Sequence, residues 1–243
     1  ETAGLSANGR TVHIETYCED EPALRARLKR EGRSAAFAGK TPADFEAWRI
    51  ATRTRLYDVL GLSLMDRVPI EIRELSRVRV AGGIVRTHAM LQVERDVWVP
   101  FYLLEPSHPK LDERRLKRCY ICPHGHQGAG AASVAGVAGV PAVDDAVRKF
   151  NYDYGLRLAR MGYVTVCPDA RGWGYRRDWK GQGDDENSSL RGTCLNQARM
   201  AEPLGLTVAG LNVWDNMRLI DYLEARGDIA MDDLGCFGFS GGG

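Results

Sequence analysis

Residues 234–242 read Leu-Gly-Cys-Phe-Gly-Phe-Ser-Gly-Gly, a short apolar run that passes directly into a glycine-rich turn around one serine, Ser240. A turn that leaves a strand this sharply forces strained backbone angles on the residue at its centre. Glycines two residues before and two residues after the serine remove side chains that would collide there. The stretch therefore predicts a strand that ends in a tight turn and holds the Ser240 hydroxyl clear of the sheet.

Upstream of this turn, apolar strands alternate with helices. The predicted strands cover residues 84–93, 97–104, 119–122, 163–167 and 234–238, and the predicted helices cover 151–161 and 211–225. The first two strands form an antiparallel pair, whereas the later alternation builds a parallel sheet with helices on both faces. We therefore predict an α/β fold with a mostly parallel central sheet. The apolar stripe of the last helix is predicted to consist of Val213, Trp214, Met217, Ile220 and Leu223.

The first 75 residues are predicted to form a mainly helical extension. A Thr-Pro-Ala-Asp sequence at 41–44 supplies an N-cap, a first-turn proline and an early acid, and apolar residues then recur at helical spacing up to Gly61. One face of that helix is expected to pack on the main domain. We therefore divide the chain into an extension, residues 1–75, and the main domain, residues 76–243.

Composition narrows the range of partners. Forty-four per cent of the residues are hydrophobic, and 33 basic residues nearly balance 32 acidic ones. Without a net field to attract nucleic acid or anionic membranes, small-molecule partners are expected. No apolar run approaches the roughly 20 residues of a spanning helix, so no membrane association is expected. We expect a cytoplasmic protein, with secretion after removal of a leader before Glu1 as the alternative, and the sequence leaves the oligomeric state open.

Six cysteines are scattered along the chain, several of them inside predicted buried strands. This scatter is not a small disulfide framework, so most of them are predicted to be reduced core residues. Cys119 and Cys122 form a CxxC pair on one strand, where residues three apart point to opposite faces. A redox or zinc role for the pair is the alternative, although no second CxxC completes a zinc site.

A second loop, Pro-His-Gly-His-Gln-Gly at 123–128, directly follows a predicted strand. A serine that attacks an acyl carbon needs backbone N–H groups nearby, because the tetrahedral intermediate carries negative charge on the carbonyl oxygen. The residue after the nucleophile supplies one N–H, and the loop after the third strand of such a fold supplies the other. We assign the nucleophile to Ser240 and the two oxyanion donors to Gly241 and His126.

A third loop, Pro-Asp-Ala-Arg-Gly-Trp-Gly at 168–174, follows the next predicted strand. Asp169 and Arg171 are two residues apart and are predicted to brace this turn by an ion pair, which is a structural rather than a catalytic role. Ligands of open α/β sheets collect at the carboxyl ends of the strands. Trp173 and Tyr175 are therefore candidate substrate-binding residues.

No cofactor or metal is expected from the sequence. The run Gly-Ala-Gly-Ala-Ala-Ser at 128–133 is similar to a dinucleotide fingerprint, but it lacks the last glycine and does not leave its strand directly. His124 and His126 could form a metal pair, which is the alternative for this loop. Neither a third ligand nor a nearby carboxylate supports such a site.

Taken together and in this order, HGHQG, DARGWG and GCFGFSGGG resemble the motifs of α/β-hydrolases related to acetyl xylan esterases and dienelactone hydrolases, over residues 40–243. The resemblance implies a nucleophile elbow at Ser240 and an oxyanion hole formed by the N–H groups of Gly241 and His126. It implies a small-molecule ester substrate, such as an acetylated sugar or another small acyl ester. Residues 175–210 would be an insertion on the active-site side of the sheet that shapes specificity.

In this fold the catalytic acid and histidine follow the nucleophile along the chain, whereas the present sequence ends at Gly243. We therefore expect the parent protein to continue for about 100 residues or more. Residues 1–243 alone should have little hydrolase activity, because a serine without its base is a weak nucleophile. A serine peptidase of the same fold and a non-catalytic binding protein that retains the turn are the alternatives.

Overall fold

The computed structural model describes residues 20–126, 129–178 and 192–243 in full, together with the backbone of two short antiparallel strands, β1 (Leu5–Ala7) and β2 (Arg10–Val12). The chain divides into two compact units, Glu1–Leu56 and Tyr57–Gly243. The boundary between these two units lies inside a long helix. Within the described ranges, no helix combines the length and the apolar character that a bilayer crossing requires.

The first unit contains helix α1 (Glu21–Glu31) and most of helix α2 (Pro42–Val59), and neither helix has a buried residue. α2 begins with a reciprocal cap. Thr41 Oγ1 accepts a hydrogen bond from the Asp44 N–H at 3.1 Å, and Asp44 Oδ2 accepts one from the Thr41 N–H at 2.9 Å. The predicted start of this helix is confirmed. Three aromatic rings in the unit contact one another, with centroids 5.5 to 5.6 Å apart: Phe37, Phe45 and Trp48.

The second unit is built around a six-stranded mixed sheet. Its strands are β3 (Ile72–Val80), β4 (Ile84–Glu94), β5 (Val97–Pro106), β6 (Cys119–Ile121), β7 (Val164–Pro168) and β8 (Gly235–Cys236). Their order across the sheet is β3-β4-β5-β7-β6-β8. The pairs β3–β4, β4–β5 and β5–β7 are antiparallel, whereas β7, β6 and β8 run parallel to one another. The predicted α/β fold class is confirmed, and each predicted strand is present.

Strand β3 was not predicted, because its sequence lacks the alternation of apolar and polar residues that marks a half-buried strand. It reads Ile-Arg-Glu-Leu-Ser-Arg-Val-Arg-Val, and its seven central residues are exposed. Its backbone groups are satisfied by antiparallel pairing with β4, with a register shift between Glu74 and Ser76. The neighbouring strand therefore stabilises a segment whose own side chains do not indicate a strand.

Helices cover both faces of this sheet. On one face lie α3 (Ala131–Val134), α4 (Pro141–Phe150) and α5 (Tyr154–Arg160), and on the other lies α7 (Val208–Arg226), which follows α6 (Cys194–Ala201). Successive residues of a strand point to opposite faces, so β4, β5, β6 and β7 each contribute to both cores. The α7 core includes Leu91, Phe101, Val166 and Leu219, and the opposite core includes Ile84, Leu104, Tyr152 and Leu156.

Three cysteines agree with the predicted role as core thiols, because Cys119, Cys122 and Cys167 are buried, whereas Cys194 is partly buried and Cys236 is exposed. Cys119 and Cys122 are buried and lie in the two opposite cores, as predicted for residues three apart on a strand. Burial raises the pKa of the Cys119 thiol to about 12, so this thiol stays protonated at neutral pH. The five cysteines in the described part of the chain are free thiols, and Cys18 lies outside it.

The buried face of α7 differs from the predicted stripe. Trp214 is buried as predicted, but Val213 and Ile220 are 39% and 37% exposed, and Leu219 is buried in their place. Apolar side chains lie on several sides of this helix, so the helical period alone does not determine which side is buried. Asp215 is also buried, which shows that polar contacts help to set the rotation of the helix.

Two neighbouring substitutions test this assignment. We expect Trp214→Ala to lower the free energy of unfolding by about 3–5 kcal/mol, because it leaves a cavity in the core. It also removes the indole N–H that donates to the Val93 carbonyl at 2.9 Å. Val213→Ala should cost less than about 1 kcal/mol, as is usual for surface substitutions. Urea unfolding of the full-length protein measures both values, and equal losses would contradict the assigned face.

Candidate active site

The turn after β8 holds Ser240 in a strained conformation. Its φ angle is +53°, in the left-handed region that residues with a side chain rarely adopt. Ser240 is exposed to solvent rather than packed in the core. A β-carbon added to Gly238 would overlap the carbonyl oxygen of Gly242, so this position cannot carry a side chain. The predicted need for glycine two residues before the serine is confirmed.

The loop of residues 123–126, called the HGH loop below, contacts the serine turn directly. A β-carbon added to Gly125 would lie 2.9 Å from Ser240 Cβ and 2.5 Å from the Phe239 carbonyl oxygen. The two backbones therefore approach more closely than side chains would permit. This contact follows from the sheet, because β6 and β8 are adjacent parallel strands and both loops leave their carboxyl ends.

The two predicted oxyanion donors lie on these adjoining loops. The His126 ring lies against Gly241, since a β-carbon added to this glycine would lie 2.6 Å from the ring Cε1 atom. Among the residues that the structure describes, no group accepts a hydrogen bond from the backbone N–H of Gly241 or His126.

His124 is buried and ties the HGH loop to the loop after β7. The Ala170 N–H donates to its Nε2 at 2.9 Å, so Nε2 carries no proton, and Nδ1–H donates to the Gly125 carbonyl at 2.7 Å. Burial lowers the pKa of His124 to about 4, so the ring is neutral at pH 7. Both ring nitrogens are therefore engaged by the backbone, which does not favour the metal pair with His126.

This tie was missed from the sequence, where His124 was considered only as a metal ligand. The signal that could have found it is its position, because a histidine that directly follows a buried strand is itself placed to be buried. A buried imidazole needs a partner for each nitrogen, and the loops of neighbouring parallel strands are the nearest source of backbone groups.

Asp169 organises the turn after β7 through backbone N–H groups. Its carboxylate accepts hydrogen bonds from the Ala131 N–H at 2.8 Å and from the Tyr175 N–H at 3.1 Å. Burial raises the pKa of Asp169 to about 6. One of its oxygens lies 4.0 Å from the His124 Nε2 atom, so the two buried side chains are neighbours between the strand ends.

The predicted ion pair between Asp169 and Arg171 is not formed. The Arg171 guanidinium instead donates to both carboxylate oxygens of Asp215 on α7, at 2.8 and 3.0 Å, and also to Glu94. Arg176 donates to the same aspartate. A bidentate partner on α7 matches the planar guanidinium better than a carboxylate two residues away, which backbone donors already satisfy.

The two candidate substrate-binding aromatic residues occupy different places. Trp173 is only 7% exposed, and its ring lies 5.2 Å from that of His126 and 6.2 Å from that of His124. Tyr175 is 64% exposed, its ring lies 4.9 Å from that of His88, and it lines a mainly apolar cavity of about 400 Å³. The structure therefore places Trp173 beside the HGH loop and Tyr175 on a neighbouring surface.

A cavity of about 220 Å³ lies at the carboxyl ends of β6, β7 and β8. It is lined by His124, Asp169, Ala170 and the last three glycines of the chain, together with residues of α7. This edge is where ligands bind in open α/β sheets. Of the predicted insertion over 175–210, residues 179–191 lie outside the described residues.

The chain resembles known hydrolases in sequence and structure, although no family model matches it. It is 24% identical over 200 residues to "Putative hydrolase YtaP" of Bacillus subtilis (strain 168). The matched region covers 80% of this chain and 57% of that protein. The crystal structure of a "putative acetyl xylan esterase" from Bacteroides fragilis NCTC 9343 matches with a TM-score of 0.77 at 17% identity, over 93% of this chain and 55% of that one. The fold is that of an α/β-hydrolase.

A second solved structure supports the same fold. Methylesterase BT1017 matches with a TM-score of 0.57 at 19% identity, over 90% of this chain and 41% of that one. The resemblance to acetyl-xylan-esterase-like α/β-hydrolases, stated above from three motifs, is confirmed at the level of the fold. The chain spans little more than half the length of its curated relative and of the first of these structures.

The His124 tie can be tested through stability and its pH dependence. At pH 7 we expect His124→Leu to lower the free energy of unfolding by about 1–3 kcal/mol, because the Ala170 N–H loses its buried acceptor. Folding lowers the pKa of His124, so on acidification the unfolded state binds the proton first. The stabilisation from His124 therefore declines as the pH falls from about 6.5 to 4. Urea unfolding should show a smaller difference between the two proteins at pH 4.5 than at pH 7.

Asp169 is present in both proteins, so its own titration, which acts in the opposite direction, cancels to first order. His108→Leu is the matched control, because His108 is exposed. This control should leave the pH dependence as it is in the unmodified protein. A His124→Leu effect of equal size at both pH values would contradict a buried neutral imidazole.

Proposed function

We propose that the full-length protein is a serine esterase with Ser240 as nucleophile and the N–H groups of Gly241 and His126 as the oxyanion hole. The observation that carries the proposal is the positive φ of an exposed serine at the end of a parallel strand, packed against the HGH loop. Strained residues of this kind persist where the surrounding structure imposes them, and they cluster at active sites. The names of the relatives, which are esterases and hydrolases, agree with this chemistry.

In the proposed reaction, the Ser240 oxygen forms a bond to the ester carbonyl carbon while its proton passes to a general base. The carbonyl oxygen becomes an oxyanion between the N–H groups of Gly241 and His126. The bond from the carbonyl carbon to the alcohol oxygen then breaks, the alcohol takes up the proton, and an acyl-serine remains. Water attacks this acyl group, which releases the carboxylic acid and restores the serine.

The general base and its acid partner are proposed to lie after Gly243 in the full-length protein, in the chain order of this fold. His124 is not that base, because its two ring nitrogens are held by backbone groups.

In this proposal, residues 76–243 form the N-terminal part of the hydrolase domain and residues 1–75 form its extension. The isolated chain of 243 residues should show little turnover, because it lacks the proposed base. The proposed substrate of the full-length protein is a small ester such as an acetylated sugar.

Labelling with a fluorophosphonate tests the nucleophile. In the full-length protein the label should appear on Ser240. Ser240→Ala should abolish labelling and lower kcat for p-nitrophenyl acetate by about 10³-fold or more, because no other hydroxyl can form the acyl intermediate. Ser107→Ala is the matched control, since Ser107 is an exposed serine in the loop after β5, and it should keep both labelling and turnover.

A comparison of substrates separates the esterase from the alternative chemistries. Short acyl esters should be hydrolysed, whereas faster turnover of aminoacyl amides would identify a serine peptidase of the same fold. A folded full-length protein that neither takes the label nor hydrolyses an ester would contradict the proposal and favour a non-catalytic binding protein.

A further inference from the structure

We infer that the side chain of His126, supported by Trp173, is the wall that limits the length of the acyl group. This inference rests on the proposed function and adds a role for the His126 imidazole that is separate from the role of its backbone N–H.

The imidazole covers the residue next to the nucleophile. A β-carbon added to Gly241 would lie 2.6, 2.8 and 3.2 Å from three atoms of the His126 ring, so the ring lies across this glycine rather than touching it with one atom. Gly241 directly follows Ser240, and its N–H is one of the proposed oxyanion donors. The imidazole therefore borders the point at which the ester carbonyl is bound.

Trp173 holds the imidazole in this place. The two rings lie 5.2 Å apart with an interplanar angle of 54°. The indole is buried, and on another side it packs so closely on Gly192 that a β-carbon there would overlap the ring. The imidazole cannot move toward the turn after β7 without displacing a packed indole, so the wall is rigid on that side.

The order of the strands indicates which part of the ester meets the wall. The HGH loop follows β6 and Trp173 follows β7, and both strands lie on the same side of β8 in the sheet. β8 is the edge strand of the described sheet, so strands that follow Gly243 are proposed to pair with its free edge, away from β6 and β7. The departing alcohol must face the general acid, which the proposed function assigns to those later residues. The acyl group, which stays bonded to Ser240, is then the part that faces the imidazole and the indole.

Removal of the ring without removal of the backbone N–H tests the wall. In full-length His126→Ala, the ratio of kcat/KM for p-nitrophenyl butyrate to that for p-nitrophenyl acetate should rise by about tenfold or more, since a pocket discriminates by this amount for a methylene or two. His126→Phe refills the space with a ring and should keep the ratio within about threefold of the unmodified protein. Circular dichroism and thermal unfolding check that both variants are folded.

Each result of this experiment has one meaning. An unchanged ratio in a His126→Ala protein that hydrolyses both esters would overturn the wall and leave the proposed function intact. A change seen only among acetates of increasingly large alcohols would also overturn it, because the ring would then border the alcohol. If the unmodified protein is neither labelled by a fluorophosphonate nor active on either ester, the proposed function fails, and the wall fails with it.

Discussion

The close approach of two backbones, one from the HGH loop and one from the serine turn, is the constraint on which the site depends. Adjacent strands of a sheet are about 4.8 Å apart. The backbones of loops that leave two such strands can therefore contact each other directly only where no side chain lies between them. Gly125 meets this condition against the Phe239 carbonyl and the Ser240 β-carbon. As a result, the HGH loop and the serine turn meet at one edge of the sheet.

This arrangement also accounts for the strained serine. A non-glycine residue in the left-handed region costs about 1–3 kcal/mol. Backbone hydrogen bonds of ordinary length surround it, because the Gly242 N–H donates to the Phe239 carbonyl and the Gly243 N–H donates to the Ser240 carbonyl, both at 2.9 Å. The Phe237 N–H continues the pairing of β8 with β6. Net contributions of about 0.5–1.5 kcal/mol from each bond are of the size needed to offset the strain.

The parts of the structure that could be predicted from the sequence are those encoded by local pattern. The parallel strands are short apolar runs bounded by glycine-rich turns, and the sharp turn at Ser240 follows from the spacing of its glycines. Because parallel strands end at one edge, their loops could be placed together before the structure was known. The α/β class, the strands and the contact between the two loops were accessible in this way.

The remaining features depend on partners that are distant in the sequence. β3 is a strand because β4 pairs with it, and its exposed, charged side chains carry no signal of that pairing. Asp169 and Arg171 were matched to each other because they are close in the chain, yet Arg171 binds Asp215, 44 residues further on. A buried aspartate among apolar helix residues was the available clue, since such a charge requires a partner.

The ion pairs of Asp215 link the packing of α7 to the turn that carries Trp173 at the candidate active site. Asp215 is almost fully buried and receives both Arg171 and Arg176, and buried charges are tolerated only when they are paired. The two arginines lie on either side of Trp173 in the turn after β7. A backbone hydrogen bond also stabilises this turn, because the Arg176 N–H donates to the Trp173 carbonyl at 2.7 Å. Rotation of α7 to bury Val213 in place of Asp215 would release both arginines. The rotation of one helix and the position of the indole beside His126 are therefore set by the same ion pairs.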